Sequence, residues 1–380
     1  MDTTQSATTN VFGQLRESSA CEFDEARSMP PAVYTAPDFL ALEQENIFTK
    51  EWLCVGRASA LENEGDYLTT DIAGQPIVVM KTADGIKAMS NVCLHRMSTL
   101  LEGRGHTRRI ICPYHAWSYS LDGALLSAPL MEGPHFCKES YKLPQVRCEV
   151  WQGWIYITLA MDAQPVAERL AELDKLIAHY GMGDYVETFY EEHVWDTNWK
   201  ILAENFMESY HLPMLHRATV GPHSKLEEME CPPGHEAFNY HWITKEASLP
   251  IGNAHPDNDR LQGHWRKTTA LLAIYPTHLI TLTPGYFWYL SLQPRGVGQV
   301  HIRFGGGLSP DFIFDPKAQE YMASLKQLLD EVNAEDRRGV EAVFRGVHAP
   351  LARPGKLNRL ERPNYDFARY LVQTISRNAA

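Results

Sequence analysis

The sequence predicts an α+β protein built from two domains, and three observations carry that prediction. From about Trp52 to Ala160, short apolar runs alternate with turn residues, as in a small all-β domain. The stretch AERLAELDKLIAHYG that follows has helical spacing. Beyond about Val186, a helix (NWKILAENFMESYHL), strand-like runs over 270–306 and a long helix from about Pro316 to Phe344 occur together. A chain of 380 residues can bury two such cores. The boundaries expected are an N-terminal arm over 1–44, a first domain over 45–162 and a second over 163–380.

Composition narrows the partners. The formal charge is −12 and Lys and Arg form no dense cluster, which argues against nucleic acid and anionic membrane surfaces. The N-terminal MDTTQSATTNVFGQLRESSACEFDEARS is polar and lacks the apolar core of a signal peptide, so a cytoplasmic location is expected. Seven cysteines kept reduced there point to metal before disulfide wherever they fall at ligand spacing. The uncharged run Thr268–Pro294 holds Pro276, Pro284 and Gly285. It therefore reads as buried strands joined at TP and PG turns rather than as a membrane helix.

In the first domain, Ala83-Asp84-Gly85 and Asp122-Gly123 are hairpin breaks between apolar runs. Between those breaks lie Cys93-x-His95 and Cys112-Pro-Tyr-His115, sixteen residues apart. Two thiolates and two imidazoles can hold one tetrahedral zinc or an iron-sulfur pair. A Rieske [2Fe-2S] centre takes one cysteine and one histidine from each of two loops, as here, whereas zinc fingers usually pair like with like.

In the second domain, NWKILAENFMESYHLPMLHRAT carries Glu208, His211 and His216. On one helix Glu208 and His211 share a face, while His216 would point roughly 140° away from His211. Pro213 should end or kink the helix near Leu212 and let His216 return. Two histidines supply two thirds of the facial triad of non-haem Fe(II) enzymes, so a carboxylate must come from elsewhere. In the last long helix the apolar stripe runs Leu325, Leu328, Val332, Val340, Val343, and Asp336 falls inside it. A carboxylate there needs a partner or a metal. Glu335 sits roughly 60° off Val332 and Asp330 is less well placed, so Asp336 is the expected third ligand.

The C-x-H, sixteen residues, C-P-Y-H-x-W pattern resembles the Rieske loops of the ring-hydroxylating oxygenases, over about residues 45–350. Ala116 stands where that family has glycine. The resemblance implies a Rieske domain followed by a helix-grip-like catalytic domain with an antiparallel sheet, assembled as a homotrimer. It implies two cofactors, a [2Fe-2S] cluster on Cys93, His95, Cys112 and His115 and a mononuclear Fe(II) on His211, His216 and Asp336. The E-D pair at 335–336 also looks like the family's third-ligand segment. Glu208 would join His211 to His115 of the partner subunit, and Asn205 would shape the pocket or orient a bound water. Glutamate at position 208 resembles the branch that oxidises carnitine, choline and related betaines.

The implied function is that of a terminal oxygenase acting with O2 on a small substrate. N-demethylation or hydroxylation of a betaine-like amine stands beside oxygenation of an aromatic ring or acid, and beside electron transfer without oxygenase activity. The chain has no G-x-G-x-x-G after a strand and no four-cysteine ferredoxin run, so a separate flavin/ferredoxin-type NAD(P)H reductase is implied. The pocket should draw on residues 195–300, where aromatics from Trp195 to Trp288 are dense. Arg295 and Arg303 are candidates for meeting a substrate carboxylate.

Overall fold

The computed structural model describes residues 2–131, 133, 135–244 and 249–379. The chain divides into two units, one formed by Phe48–Glu168 and the other by Met1–Ile47 with Arg169–Ala380. Among the described residues no helix is long and apolar enough to cross a membrane.

The Phe48–Glu168 unit is all-β. Strands β1 (Leu53–Arg57), β2 (Asp66–Ile72), β3 (Gln75–Thr82), β4 (Gly85–Ser90), β5 (Arg104–His106), β9 (Gln145–Trp151) and β10 (Trp154–Thr158) form one sheet. Their order is β1-β10-β9-β4-β3-β2-β5. A small second sheet joins β6 (Ile110–Ile111), β7 (Ser118–Tyr119) and β8 (Leu125–Ser127). Ala83-Asp84 makes the two-residue β3–β4 turn, with Thr82 opposite Gly85. At Gly123 φ is +90°, and a Cβ there would press on Met89 and Leu143, so only glycine suits that turn. Cys93 and Cys112 are buried in the same core as Val78, Met80, Trp117 and Tyr119.

The second unit is built on an antiparallel sheet. Its strands are β11 (Val186–Trp195), β12 (Met229–Glu230), β13 (Phe238–Thr244), β14 (Thr268–Ile274), β15 (His278–Leu282), β16 (Tyr286–Gly296) and β17 (Gln299–Leu308). Their order is β11-β17-β16-β15-β14-β13-β12. The uncharged run thus becomes β14, β15 and β16, paired across the TP and PG turns. The Trp199–Met207 helix packs on β14–β16 and on the long Ala318–Val347 helix.

Four sequence expectations are corrected here. The helix bearing the Glu208 region ends at Met207, not near Leu212, because Glu208 is extended at φ −112°, ψ 161°. Pro213 lies in a separate short turn, Leu212–Leu215, at a helix start where its missing N–H costs nothing. On the long helix the buried face runs Leu325, Leu329, Val332, Asp336, Val340, with Val343 52% exposed. Glu335, expected off that stripe, is buried because it has a partner, described below. The long helix is also not the last, since Arg362–Asn378 forms another whose Tyr365, Phe367, Tyr370 and Leu371 are buried.

Asn198 caps the Trp199–Met207 helix, its side chain accepting from Lys200 N–H at 3.0 Å. Behind this helix, Lys200 meets Glu43 at 2.7 Å with both side chains sealed from solvent. The second Glu43 oxygen accepts from Trp199 Nε1 at 3.2 Å. A buried pair contributes little beyond well-packed apolar residues, but removing one partner strands a charge. Glu43→Ala is therefore expected to cost about 3–5 kcal/mol in denaturant unfolding, and Glu43→Gln combined with Lys200→Met to recover most of it. Equal stabilities for the single and the double variant would contradict this.

Candidate metal centres

The two Cys/His loops have the same backbone design. Cys93 N–H donates to Ser98 C=O and Cys112 N–H to Trp117 C=O, both at 2.8 Å. Met97 and Ala116 close the turns by donating to the Cys93 and Cys112 carbonyls at 3.0 and 3.1 Å, and both are left-handed, at φ +56° and +57°. Ala116 thus holds, in an alanine, a conformation that glycine adopts without strain.

The donor side chains meet in like pairs. The His95 and His115 rings lie 4.6 Å apart at 67°, and His95 stacks on Trp117 at 4.9 Å. The two cysteines interact side chain to side chain and are free thiols. Burial pushes Cys93 up, whereas the Tyr114 and His115 N–H groups outweigh burial at Cys112 and pull it down. Tyr119 Oη lies 3.3 Å from Cys93 Sγ and accepts from Leu94 N–H at 3.0 Å. His95 Nδ1 is buried with no hydrogen-bond partner among the described residues, which is costly in a protein interior unless something else takes its lone pair. This donor set fits an iron-sulfur pair.

The second cluster draws on the chain break after Met207. Glu208 accepts from the N–H groups of Tyr210 and His211, the latter at 3.2 Å, and its other oxygen lies 2.5 Å from His211 Nδ1. His216 Nδ1 meets Glu335 at 2.8 Å, and Thr219 Oγ1 donates to the same carboxylate at 2.6 Å. Each imidazole thus has its Nδ1 engaged by a carboxylate and its Nε2 turned inward toward Asp336 Oδ1, at 3.8 Å for His211 and 3.1 Å for His216. One donor atom from each of His211, His216 and Asp336 lies within 4.8 Å of the other two. Asn205 Nδ2 donates to Asp336 Oδ1 at 2.8 Å and so orients that carboxylate. Burial lowers the pKa of His216, but Asp336 and Glu335 outweigh it and raise it. Three carboxylates around two imidazoles leave an excess of negative charge that one divalent cation neutralises, and the two-histidine, one-carboxylate set fits ferrous iron.

These donors border a cavity of about 120 Å³. Of the twelve aromatics from Trp195 to Trp288, only Phe206, Tyr286 and Trp288 line it among the described residues. Arg295 is exposed and Arg303 is buried in β17, and neither reaches the cavity wall. Residues 245–248, within the range expected for the pocket, lie outside the described residues.

A family model described as "Ring hydroxylating alpha subunit (catalytic domain)" matches residues 182–377. The chain belongs to the ring-hydroxylating alpha-subunit family. The Rieske [2Fe-2S] domain model matches residues 51–147, so the family's two cofactors are a Rieske cluster and a mononuclear iron. The chain is 37% identical over 187 residues to the glycine betaine monooxygenase oxygenase subunit of Chromohalobacter salexigens, covering 48% of this chain and 42% of that one. It is 26% identical over 371 residues to the chloroplastic choline monooxygenase of Arabidopsis thaliana, covering 91% and 84%. The chain spans about half the length of the curated bacterial relatives it matches. Among solved structures, the quaternary ammonium Rieske monooxygenase CntA in complex with L-carnitine shares the fold, with a TM-score of 0.77 at 22% identity over 93% of this chain and 96% of that one.

Sequence reasoning missed two supports. Glu335 was passed over by helical geometry, and the signal that could have found it was its place beside Asp336 at a buried helix position. His241 reads as strand core, yet its Nε2 lies 2.6 Å from Ser209 Oγ, tying β13 to the residue after Glu208. Burial, aided by His211, pushes the pKa of His241 down to about 3, so the ring is neutral and its Nε2 accepts a hydrogen bond from the Ser209 hydroxyl.

Two outcomes are expected. Ala116→Gly should stabilise the β unit by about 0.5–1 kcal/mol, read as a higher temperature for loss of the cluster's visible absorption. Glu335→Ala should weaken iron binding about 10–100-fold in a chelator competition, and unchanged affinity would remove Glu335 from the support of His216.

Proposed function

We propose that this protein is the terminal oxygenase component of a Rieske non-haem iron system. It takes electrons from a separate flavin/ferredoxin-type NAD(P)H reductase and uses O2 to hydroxylate or N-demethylate a small organic substrate. The observation that carries this reading is the His211, His216, Asp336 cluster bordering a small, mostly apolar cavity. In this reading Cys93 and Cys112 hold one iron of the cluster and His95 and His115 the other. When bound, the cluster supplies electrons one at a time and the lone ferrous ion supplies the centre at which O2 is reductively activated.

The chain's own residues then have separable tasks. Glu208 and Glu335 hold the Nδ1 protons of His211 and His216, which keeps each Nε2 lone pair free and directed inward. Asn205 orients Asp336. The apolar wall, including Leu271, Leu328 and Val332, keeps water from the reacting centre. In a homotrimer, Glu208 would also reach His115 of the partner subunit and give the electron a bonded path between centres. We place the protein in the cytoplasm, a compartment in which its seven cysteines would stay reduced and available to a metal.

The relatives named for glycine betaine and choline support a quaternary ammonium substrate. A multi-ring aromatic is less suited to a cavity of about 120 Å³, below the roughly 300 Å³ at which ordinary ligand pockets begin.

Coupled O2 uptake with a heterologous reductase and a panel of ammonium compounds and aromatic acids tests the reaction. Iron, acid-labile sulfide and the visible spectrum test the cofactors. Asp336→Ala should keep the cluster's colour and abolish turnover, and retained turnover would exclude it from the ligand set. Glu208→Gln should slow single-turnover electron delivery with both metals bound, and unchanged kinetics would count against the bridge.

A further inference from the structure

The Trp199–Met207 helix carries an acid that is not among the metal donors. Phe206 packs on Trp288 of β16, and Asn205 reaches Asp336 on the long helix. Glu204 lies roughly 200° round the helix from Phe206, on the side away from the strands. There Tyr34, on the short Pro31–Thr35 helix of the N-terminal arm, donates to Glu204 Oε2 at 2.8 Å.

The groups that act most on Glu204 are Tyr34, Lys200 one turn before it, Glu208 one turn after it, and Glu361 at the end of the Arg359–Glu361 turn. Asp336 of the long helix is held by Asn205, the Arg337 and Arg338 of that helix are exposed, and Arg362 is paired with Asp366 at 3.1 Å. The neighbours of Glu204 are already committed. Lys200 meets Glu43 at 2.7 Å, sealed from solvent, and Glu361 accepts from Asn358 N–H at 2.6 Å. Glu208 is held ionised by two backbone N–H groups and the His211 ring. Among the described residues the one hydrogen-bond donor to Glu204 is the Tyr34 phenol, which burial and then Glu204 keep protonated. Of the two carboxylates a turn apart, Glu204 is therefore the one that takes a proton. Burial, with Glu361 and Glu208 adding to it against Tyr34 and Lys200, pushes its carboxyl up to about 8. Part of the residue stays accessible, so the proton can exchange with water.

We infer that Glu204 is a proton store for the lone-iron site, neutral while that site is reduced and ionised once an electron has left it. This rests on the oxygenase reading given above and deepens it. The coupling is reciprocal: positive charge gained among His211, His216 and Asp336 favours ionised Glu204, and a proton on Glu204 favours the added electron. On oxidation the Glu204 O–H bond breaks and its proton passes to water. When the cluster returns the electron, water supplies a proton and the bond reforms. An acid that titrates near the working pH can do both, and the reduction of O2 consumes protons as well as electrons.

Two measurements test this. In the metal-free protein, infrared titration of wild type against Glu204→Gln should reveal a protonated carboxyl in the wild type at neutral pH, lost as the pH rises through about 8. Tyr34→Phe removes a bond that favours the ionised form, so the same band should persist to higher pH. In the iron-loaded protein with its cluster oxidised, ferricyanide oxidation of the lone iron near neutral pH should release protons to an indicator dye. Glu204→Gln should lose most of that release at unchanged iron content and cluster spectrum, and Tyr34→Phe should move it to higher pH. Equal carboxylic-acid absorption or equal proton release in wild type and Glu204→Gln would overturn the inference and leave the oxygenase reading standing. Should Glu204→Gln fail to fold, a band and a release that Tyr34→Phe does not move would overturn it equally. Wild type that binds no iron would instead overturn the oxygenase reading and the coupling with it, while the infrared band would still place the proton on Glu204.

Discussion

The Glu208 carboxylate accepts from the N–H groups of Tyr210 and His211 and binds the His211 ring, and the meeting of His211, His216 and Asp336 depends on this three-way hold. A helix continued past Met207 would present Glu208 and His211 on one face and turn His216 away from it. The extended Glu208 ends the helix instead, and its side chain satisfies donors that the break would otherwise leave bare. His211 and His216 can then approach from a short separate turn and meet Asp336, which arrives on a rigid helix from more than a hundred residues later.

Rigidity is supplied around the break rather than within it. His241 ties Ser209 to the sheet, Asn205 ties Asp336 to the preceding helix, and Glu335 with Thr219 ties His216 to the long helix. Each metal-facing group is thereby locked by a neighbour whose own backbone belongs to a regular element. In a partly dry interior these carboxylates act strongly on the imidazoles, which is why the His216 pKa is raised despite burial. A bound cation would take over that role.

Much of this was legible in the sequence, for physical reasons that differ by element. The uncharged run 268–294 reads as strands because its prolines and glycine mark turns and aromatic and β-branched residues crowd it. The Cys/His loops read directly because ligand chemistry restricts residue type and spacing. The helix end at Met207 was not legible, since a helical pattern continues through EsyHL and the stop comes from a side-chain carboxylate binding the following backbone. Glu335 was hidden for a related reason: periodicity ranks positions by apolar neighbours, whereas its burial is set by one histidine brought near by tertiary structure. The helix at Arg362–Asn378 was not assigned, although its buried Tyr365, Phe367, Tyr370 and Leu371 recur at helical spacing.

The Phe48–Glu168 unit is inserted into the sequence of the other, so that Glu43 and Trp199 bond across 156 residues. On a ribosome, the β unit is complete before the charge partner of Glu43 has been made. At ordinary translation speeds the N-terminal arm waits on the order of ten seconds or more for that partner. Nascent chains of this protein therefore pass through a stage in which the all-β unit is formed and the unit built on the second antiparallel sheet is an open, acid-bearing fragment.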